Sequence, residues 1–148
     1  MLLGDPQAPN IIYLPHSPVV PEQWHWQQRD AATEIIGVNS NHWRKILVIA
    51  AKIFAPTDDW KSFLQNNLFN IVCLVTEPIA WYPSTGTQLI SGKEVCASLG
   101  VKVDTAVPLA NAACLRQLRQ NIWLVPYLDY RQFSNQTVEQ LRLQLFNR

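Results

Sequence analysis

The stretch Gly86-Thr87-Gln88-Leu89-Ile90-Ser91-Gly92-Lys93-Glu94 sets a glycine ahead of a Gly-Lys pair, the grouping with which a chain wraps nucleotide phosphates. That chemistry needs four residues between the first glycine and the pair, so that successive backbone N–H groups converge. Here the spacer is Thr87 to Ser91, one residue too long. Glu94 also stands where a hydroxyl would hold magnesium, and its charge would repel a nucleotide. The spacing therefore predicts no nucleotide site and no nucleotide hydrolysis.

The other chemistry-bearing residues are scattered. His16, His25 and His42 have no i, i+4 pair of the kind that grips a metal from one helix face. Cys73, Cys96 and Cys114 show no C-x-x-C pattern, which excludes zinc-ribbon and dithiol signatures. Cys73 lies within Ile71-Val72-Cys73-Leu74-Val75 and reads as an inert core thiol. Asp58 and Asp59 are adjacent, which suits a helix start better than paired acid–base work. Glu77, ahead of Pro78 at the end of an apolar run, is better placed, because α/β sites gather at the C-terminal edge of the sheet. Arg116, Arg119, Arg131 and Arg142 read as a solvated helix surface. The inventory predicts no catalytic residue, no metal and no cofactor, and favours a binding protein over an enzyme.

Composition sets the frame for these residues. The chain has 148 residues, 48% hydrophobic and 16% charged, the balance of one folded domain rather than a disordered chain. Its net charge of +1 gives no general drive toward nucleic acid or anionic membrane. Residues 1–40 lean acidic and the remainder leans basic, without a polybasic patch. No stretch approaches the length of a membrane span, no signal-peptide pattern opens the sequence, and unpaired cysteines suit the cytoplasm.

Residues 1–26 carry Pro6, Pro9, Pro15, Pro18 and Pro21 among Ile11, Ile12, Tyr13, Leu14, Trp24 and Trp26. Prolines remove backbone donors, so a helix or central strand is not expected there. The segment is also too aromatic for an indifferent tail. It reads as an extended arm that either docks on a partner or lies across its own domain. As a docking arm it would be separable from the fold, with Ile12, Tyr13, Leu14, Trp24 and Trp26 as anchors. Residues 27–42 would connect it to a single domain over 43–148.

Within that domain, Trp43 to Ala51 has the length and apolarity of a buried strand. Thr57 opens a helix with Trp60, Phe63, Leu64 and Leu68 on one face, and Ile71 to Val75 is the next strand. The three make a βαβ unit with parallel pairing. Gly92 to Leu99 reads as a short helix closed by Gly100, Val101 to Val107 as a strand and Leu109 to Arg119 as a helix. Ile122 to Val125 is a further strand, and Ser134 to Phe146 a final amphipathic helix. The expected fold is α/β, a small and mostly parallel sheet flanked by helices, with an extended N-terminal arm.

This layout resembles the psi subunit of bacterial DNA polymerase III holoenzyme. The similarity runs through Arg44-Lys45-Ile46-Leu47-Val48-Ile49-Ala50, then Leu74-Val75-Thr76-Glu77-Pro78-Ile79-Ala80-Trp81-Tyr82-Pro83, then Val125-Pro126-Tyr127-Leu128 with the helix from Ser134 to Phe146. The chain is longer than that family over 84–120, and its arm lacks the family's basic residues. Tyr13-Leu14 is the closer positional match to the family's anchor, and Trp24 and Trp26 are the stronger anchors. The resemblance implies a non-catalytic connector in DNA replication. Its arm would dock on the clamp-loader ATPase subunits and its domain on the chi subunit. Chi would provide indirect contact with single-stranded-DNA-binding protein, with no sequence-specific nucleic-acid binding and no membrane. Two readings compete with it. One is a small α/β enzyme with a site at the C-terminal sheet edge, using Glu77 and Lys93. The other is a phage or secretion adaptor.

Overall fold

The computed structural model describes residues 1–146; the last two residues of the expected domain, 147 and 148, lie outside the described residues. Seven strands form one sheet in the order β1-β3-β2-β4-β7-β6-β5. They are β1 (Leu2–Leu3), β2 (Asn10–Tyr13), β3 (Val72–Val75), β4 (Gln88–Ser91), β5 (Val107–Leu109), β6 (Ala112–Arg119) and β7 (Ile122–Val125). The neighbouring strands β3, β2, β4 and β7 run parallel, while β1, β6 and β5 join antiparallel at the two edges. The α/β class stands, but the sheet is mixed rather than mostly parallel.

The largest departure concerns the arm. Asn10–Tyr13 is not a docking strip but an interior strand, paired with β3 on one side and β4 on the other. Pro9 and Pro15 fall outside its ladder, so no donor is missing from it. Ile11 donates to Thr87 O, and Leu14 to Val75 O, both at 2.9 Å. The strand alternates its side chains between two cores. Ile12 and Leu14 point into the larger one, Ile11 and Tyr13 into the smaller, and all four are fully buried.

The second departure is Trp43 to Ala51, which is helix rather than strand. It belongs to α2 (Asn41–Phe54), flanked by α1 (Ala31–Val38), α3 (Trp60–Asn66), α4 (Leu68–Ile71) and the C-terminal α6 (Asn135–Phe146). Nine residues of α2 are buried; its run Ile46 to Ala51 is apolar without a break and shows no stripe by itself, while Asn41, Lys45 and Lys52 keep one side of the helix polar. Only its length separates it from a buried strand. The βαβ unit is real, but its first strand is β2, and its crossover carries α1 to α4 before β3. Arg142 on α6 closes the C-terminus of α2, donating to Ile53 O at 2.9 Å and Ala55 O at 2.7 Å.

These five helices cover one face of the sheet. The sixth, α5 (Lys93–Ser98), covers the other with Ile79, Tyr82 and Leu99. The expected helix over Leu109 to Arg119 is instead strand, β6 in a hairpin with β7, and Val101 to Val107 is a single 3-10 turn leading into β5.

Candidate active-site crevice

Parallel strands deliver their C-terminal ends to one edge of the sheet. There β2 is followed by Leu14, Pro15 and His16, and β3 by Thr76 and Glu77. β4 ends at Ser91 and turns through Gly92 into Lys93 and Glu94, and β7 is followed by Pro126 and Tyr127. Gly92 has a φ of 88°, a left-handed conformation that glycine adopts without strain. Its N–H donates to Val125 O at 3.0 Å, tying the end of β4 to that of β7.

Adjacent strands β2 and β4 leave this edge in opposite directions. β2 leads to the five-helix layer and on to β3; β4 leads to α5 on the other face and on to β7. Such a divergence opens a crevice between the two strand ends, the position where ligands settle in open α/β sheets. His16 sits over it. Its Nδ1 is 4.0 Å from Glu77 Oε1 and its Nε2 4.0 Å from Glu94 Oε2, so one imidazole lies between two carboxylates from different strand ends. All three side chains are solvent-accessible, at 64%, 61% and 69% exposure in that order. Ser17 and Thr76 share a 2.7 Å hydroxyl hydrogen bond that pins the exit of β2 against that of β3.

Beside His16 the crevice deepens into a pocket of about 480 Å³ over the ends of β4 and β7. Val103, Leu124, Val125 and Pro15 give it apolar walls. Ser91, Lys93, Glu94, Arg116, Tyr127 and Gln132 supply the polar groups. Ser91 is fully buried, and its Oγ has no hydrogen-bond partner among the described residues. A buried hydroxyl left unpaired costs stability, and the indole N–H of Trp123 is the other such group among the described residues. Arg116 is fixed in the wall by donating from Nη1 to Ala106 O at 3.1 Å and Val103 O at 3.4 Å. Burial, reinforced by the charges of Asp129 and Glu94, raises the Tyr127 phenol above its usual range, so it remains protonated near neutrality. Its ring stacks on His42 at 5.2 Å between centroids, and its hydroxyl contacts His42 Nε2. Burial likewise raises the Cys96 thiol, leaving it a neutral wall rather than a nucleophile.

A second groove of equal volume lies at the opposite, N-terminal edge of the parallel strands, between Phe54, Phe63, Ile71 and Leu145. Volume does not choose between the two. Convergent titratable groups do, and they are at the C-terminal edge. Among the described residues no cluster of His, Cys, Asp or Glu is arranged to hold a metal ion. Among the described residues, no helix is long and apolar enough to cross a membrane.

The anchors expected in the arm are all engaged within the fold. Ile12, Tyr13 and Leu14 are interior. Trp24 is half-buried, donates from Nε1 to Ala31 O at 2.9 Å and packs edge-on against Phe69. Trp26 is half-buried and stacks on His25. Glu77 and Lys93, singled out at the sheet edge, do lie there, Lys93 in the pocket wall and Glu77 beside His16. Sequence reasoning missed His16, Ser91 and Tyr127. The signal for His16 was the run Asn10-Ile11-Ile12-Tyr13-Leu14 just ahead of it, which as a strand would have put the histidine at this edge.

No curated protein and no solved structure matches the chain. A model described as a family of unknown function, DUF6942, matches residues 1–146, and the chain belongs to that family.

Proposed function

We propose that the protein binds a small organic ligand at the C-terminal edge of its parallel strands, seated in the pocket over β4 and β7 with His16 at its rim. The observation that carries this reading is the buried, unpartnered Ser91 hydroxyl in a pocket of about 480 Å³ at the divergence of β2 and β4. That volume suits a compact organic molecule. The apolar walls would take its body, and Ser91, Tyr127 and Arg116 its polar groups. His16, with a carboxylate 4.0 Å from each ring nitrogen, stands at the mouth.

The connector role implied by the psi-subunit resemblance would have to draw its arm contacts from Trp24 and Trp26 alone, since Ile12, Tyr13 and Leu14 are interior. Ligand binding at the crevice leaves the interior strand β2 in its place and needs only that the Ser91 hydroxyl, buried in this structure, open to the pocket. A thermal-shift screen of small organic fragments tests the reading, comparing wild type with Cys114→Trp. Cys114 is exposed and lines the pocket, so the indole fills it without disturbing the core. The reading expects fragments that stabilise the wild type and leave the variant unchanged. Fragments that stabilise both equally, or none at all, would count against it. Co-purification with clamp-loader and chi proteins that survives Cys114→Trp would favour the connector.

A further inference from the structure

On the solvent side of α2, cations and aromatic rings alternate in space. Lys45 Nζ lies 5.6 Å from the centroid of the Tyr130 ring. Lys52 Nζ lies between two rings, 5.9 Å from Tyr130 and 5.1 Å from Trp60. Lys61 Nζ closes the series, 5.7 Å from Trp60. The order is Lys45, Tyr130, Lys52, Trp60, Lys61, contributed by α2, α3 and the loop after β7. Among the described residues, no carboxylate lies within 4.0 Å of these three ammonium groups; Lys52 Nζ donates to Asn135 Oδ1 at 3.1 Å, and Asp58 and Glu139 line the same groove as Lys52 and Trp60. Tyr130 keeps 47% of its surface exposed, and Trp60 is half-buried.

We infer that this stripe is a binding surface for single-stranded nucleic acid, independent of the pocket and of what the pocket holds. Cations alone would suit any acidic partner. The interleaved rings decide the class, because a nucleotide offers both a phosphate for the lysine and a base for the ring it leaves. A peptide of acidic residues alone has nothing to lay on Tyr130 or Trp60. Lys45 and Lys52 are separated by ~10 Å along the helix, the length of about three nucleotides stacked at ~3.4 Å. The overall charge of +1 keeps the interaction local to the stripe, so it is readily reversed by salt.

Anisotropy of a labelled oligothymidylate and a matching oligouridylate, titrated with the full chain at rising salt, tests the inference. Saturable binding is expected, with a logarithmic salt slope of about −2 for three phosphates. Tyr130→Ala should weaken it at least about fivefold, and Tyr130→Phe should retain it. Lys45→Gln combined with Lys61→Gln, both at accessible positions, should reduce the slope by about 1.4. Melting temperatures equal to wild type confirm that these variants fold. The DNA and RNA arms identify which strand the stripe takes. The inference is overturned if neither oligonucleotide binds saturably, or if Tyr130→Ala binds as well as wild type. It is also overturned if a polyglutamate peptide competes fully while ring substitutions have no effect, since the occupant would then be an acidic protein segment.

Discussion

The Tyr13 hydroxyl donates a 2.6 Å hydrogen bond to Gln88 Oε1, joining the side chains of the neighbouring parallel strands β2 and β4. The same oxygen accepts from the Tyr82 N–H at 3.0 Å, which draws the loop after β3 onto the sheet. Tyr13→Phe leaves both partners without it in the interior. The expected loss is about 1–3 kcal/mol by urea denaturation. Deleting residues 1–26 removes β1 and the interior strand β2, so no cooperative thermal transition should remain. A transition like that of the full chain would restore the separable arm.

Alkaline pH should weaken the fold. Burial, with a smaller push from the Asp5 carboxylate, raises Cys73 from 9.0 to about 11. The unfolded chain therefore releases this proton first. Stability is intact below pH 9 and falls as pH rises from there toward about 11. Tyr13, raised from 10.0 mainly by burial, adds a loss of the same sign above pH 10. Urea midpoints across this range should decline, and Cys73→Val should remove the first part of the decline. A flat profile in the wild type would contradict the buried thiol.

Gly86 packs where no side chain fits. A Cβ there would stand 2.7 Å from both Pro9 O and Asn10 Oδ1, at the start of the interior strand. Gly86→Ala should destabilise by about 1–3 kcal/mol. Gly37, with nothing within 4 Å of its added Cβ, is the control whose substitution by alanine should not destabilise.

Ser91 is expected to trade stability for binding. Ser91→Ala removes a buried hydroxyl that has no partner in the ligand-free fold, so the melting temperature should hold or rise slightly. Fragments that engage the pocket should bind the variant more weakly. A marked loss of stability would mean that the hydroxyl serves the fold instead.

The sequence made part of this fold legible. Ile71 to Val75 and Ile122 to Val125 read as strands because short, continuous apolar runs suit strands buried on both faces. The final helix showed its period through Val138 and Leu141, which are its buried residues. In α2 the polar stripe Asn41, Lys45 and Lys52 is too sparse to show through the unbroken apolar run Ile46 to Ala51, which by itself has the pattern of a buried strand. Leu115 and Leu118 imitate helical spacing, yet in β6 they face opposite sides of the sheet, and only the hairpin with β7 settles it. The prolines around Asn10–Tyr13 hid an interior strand, because they flank the ladder instead of interrupting it. His16 was hidden by the same misreading. Glu77 could be placed at the edge because the strand end ahead of it suggested it, whereas β4 ahead of Lys93 was not legible in the sequence. Their meeting with His16 and Tyr127 depends on strand order, which local spacing does not encode.

The central claim is a small-ligand site at the C-terminal strand edge, and amide chemical-shift mapping of the full chain with a small organic fragment set tests it most directly. The account predicts shifts concentrated at Ser91, Gly92, Lys93, Val125 and Tyr127, lost in Cys114→Trp. Shifts confined to the opposite groove around Phe63 and Leu145, or no shifts with any fragment, would contradict it.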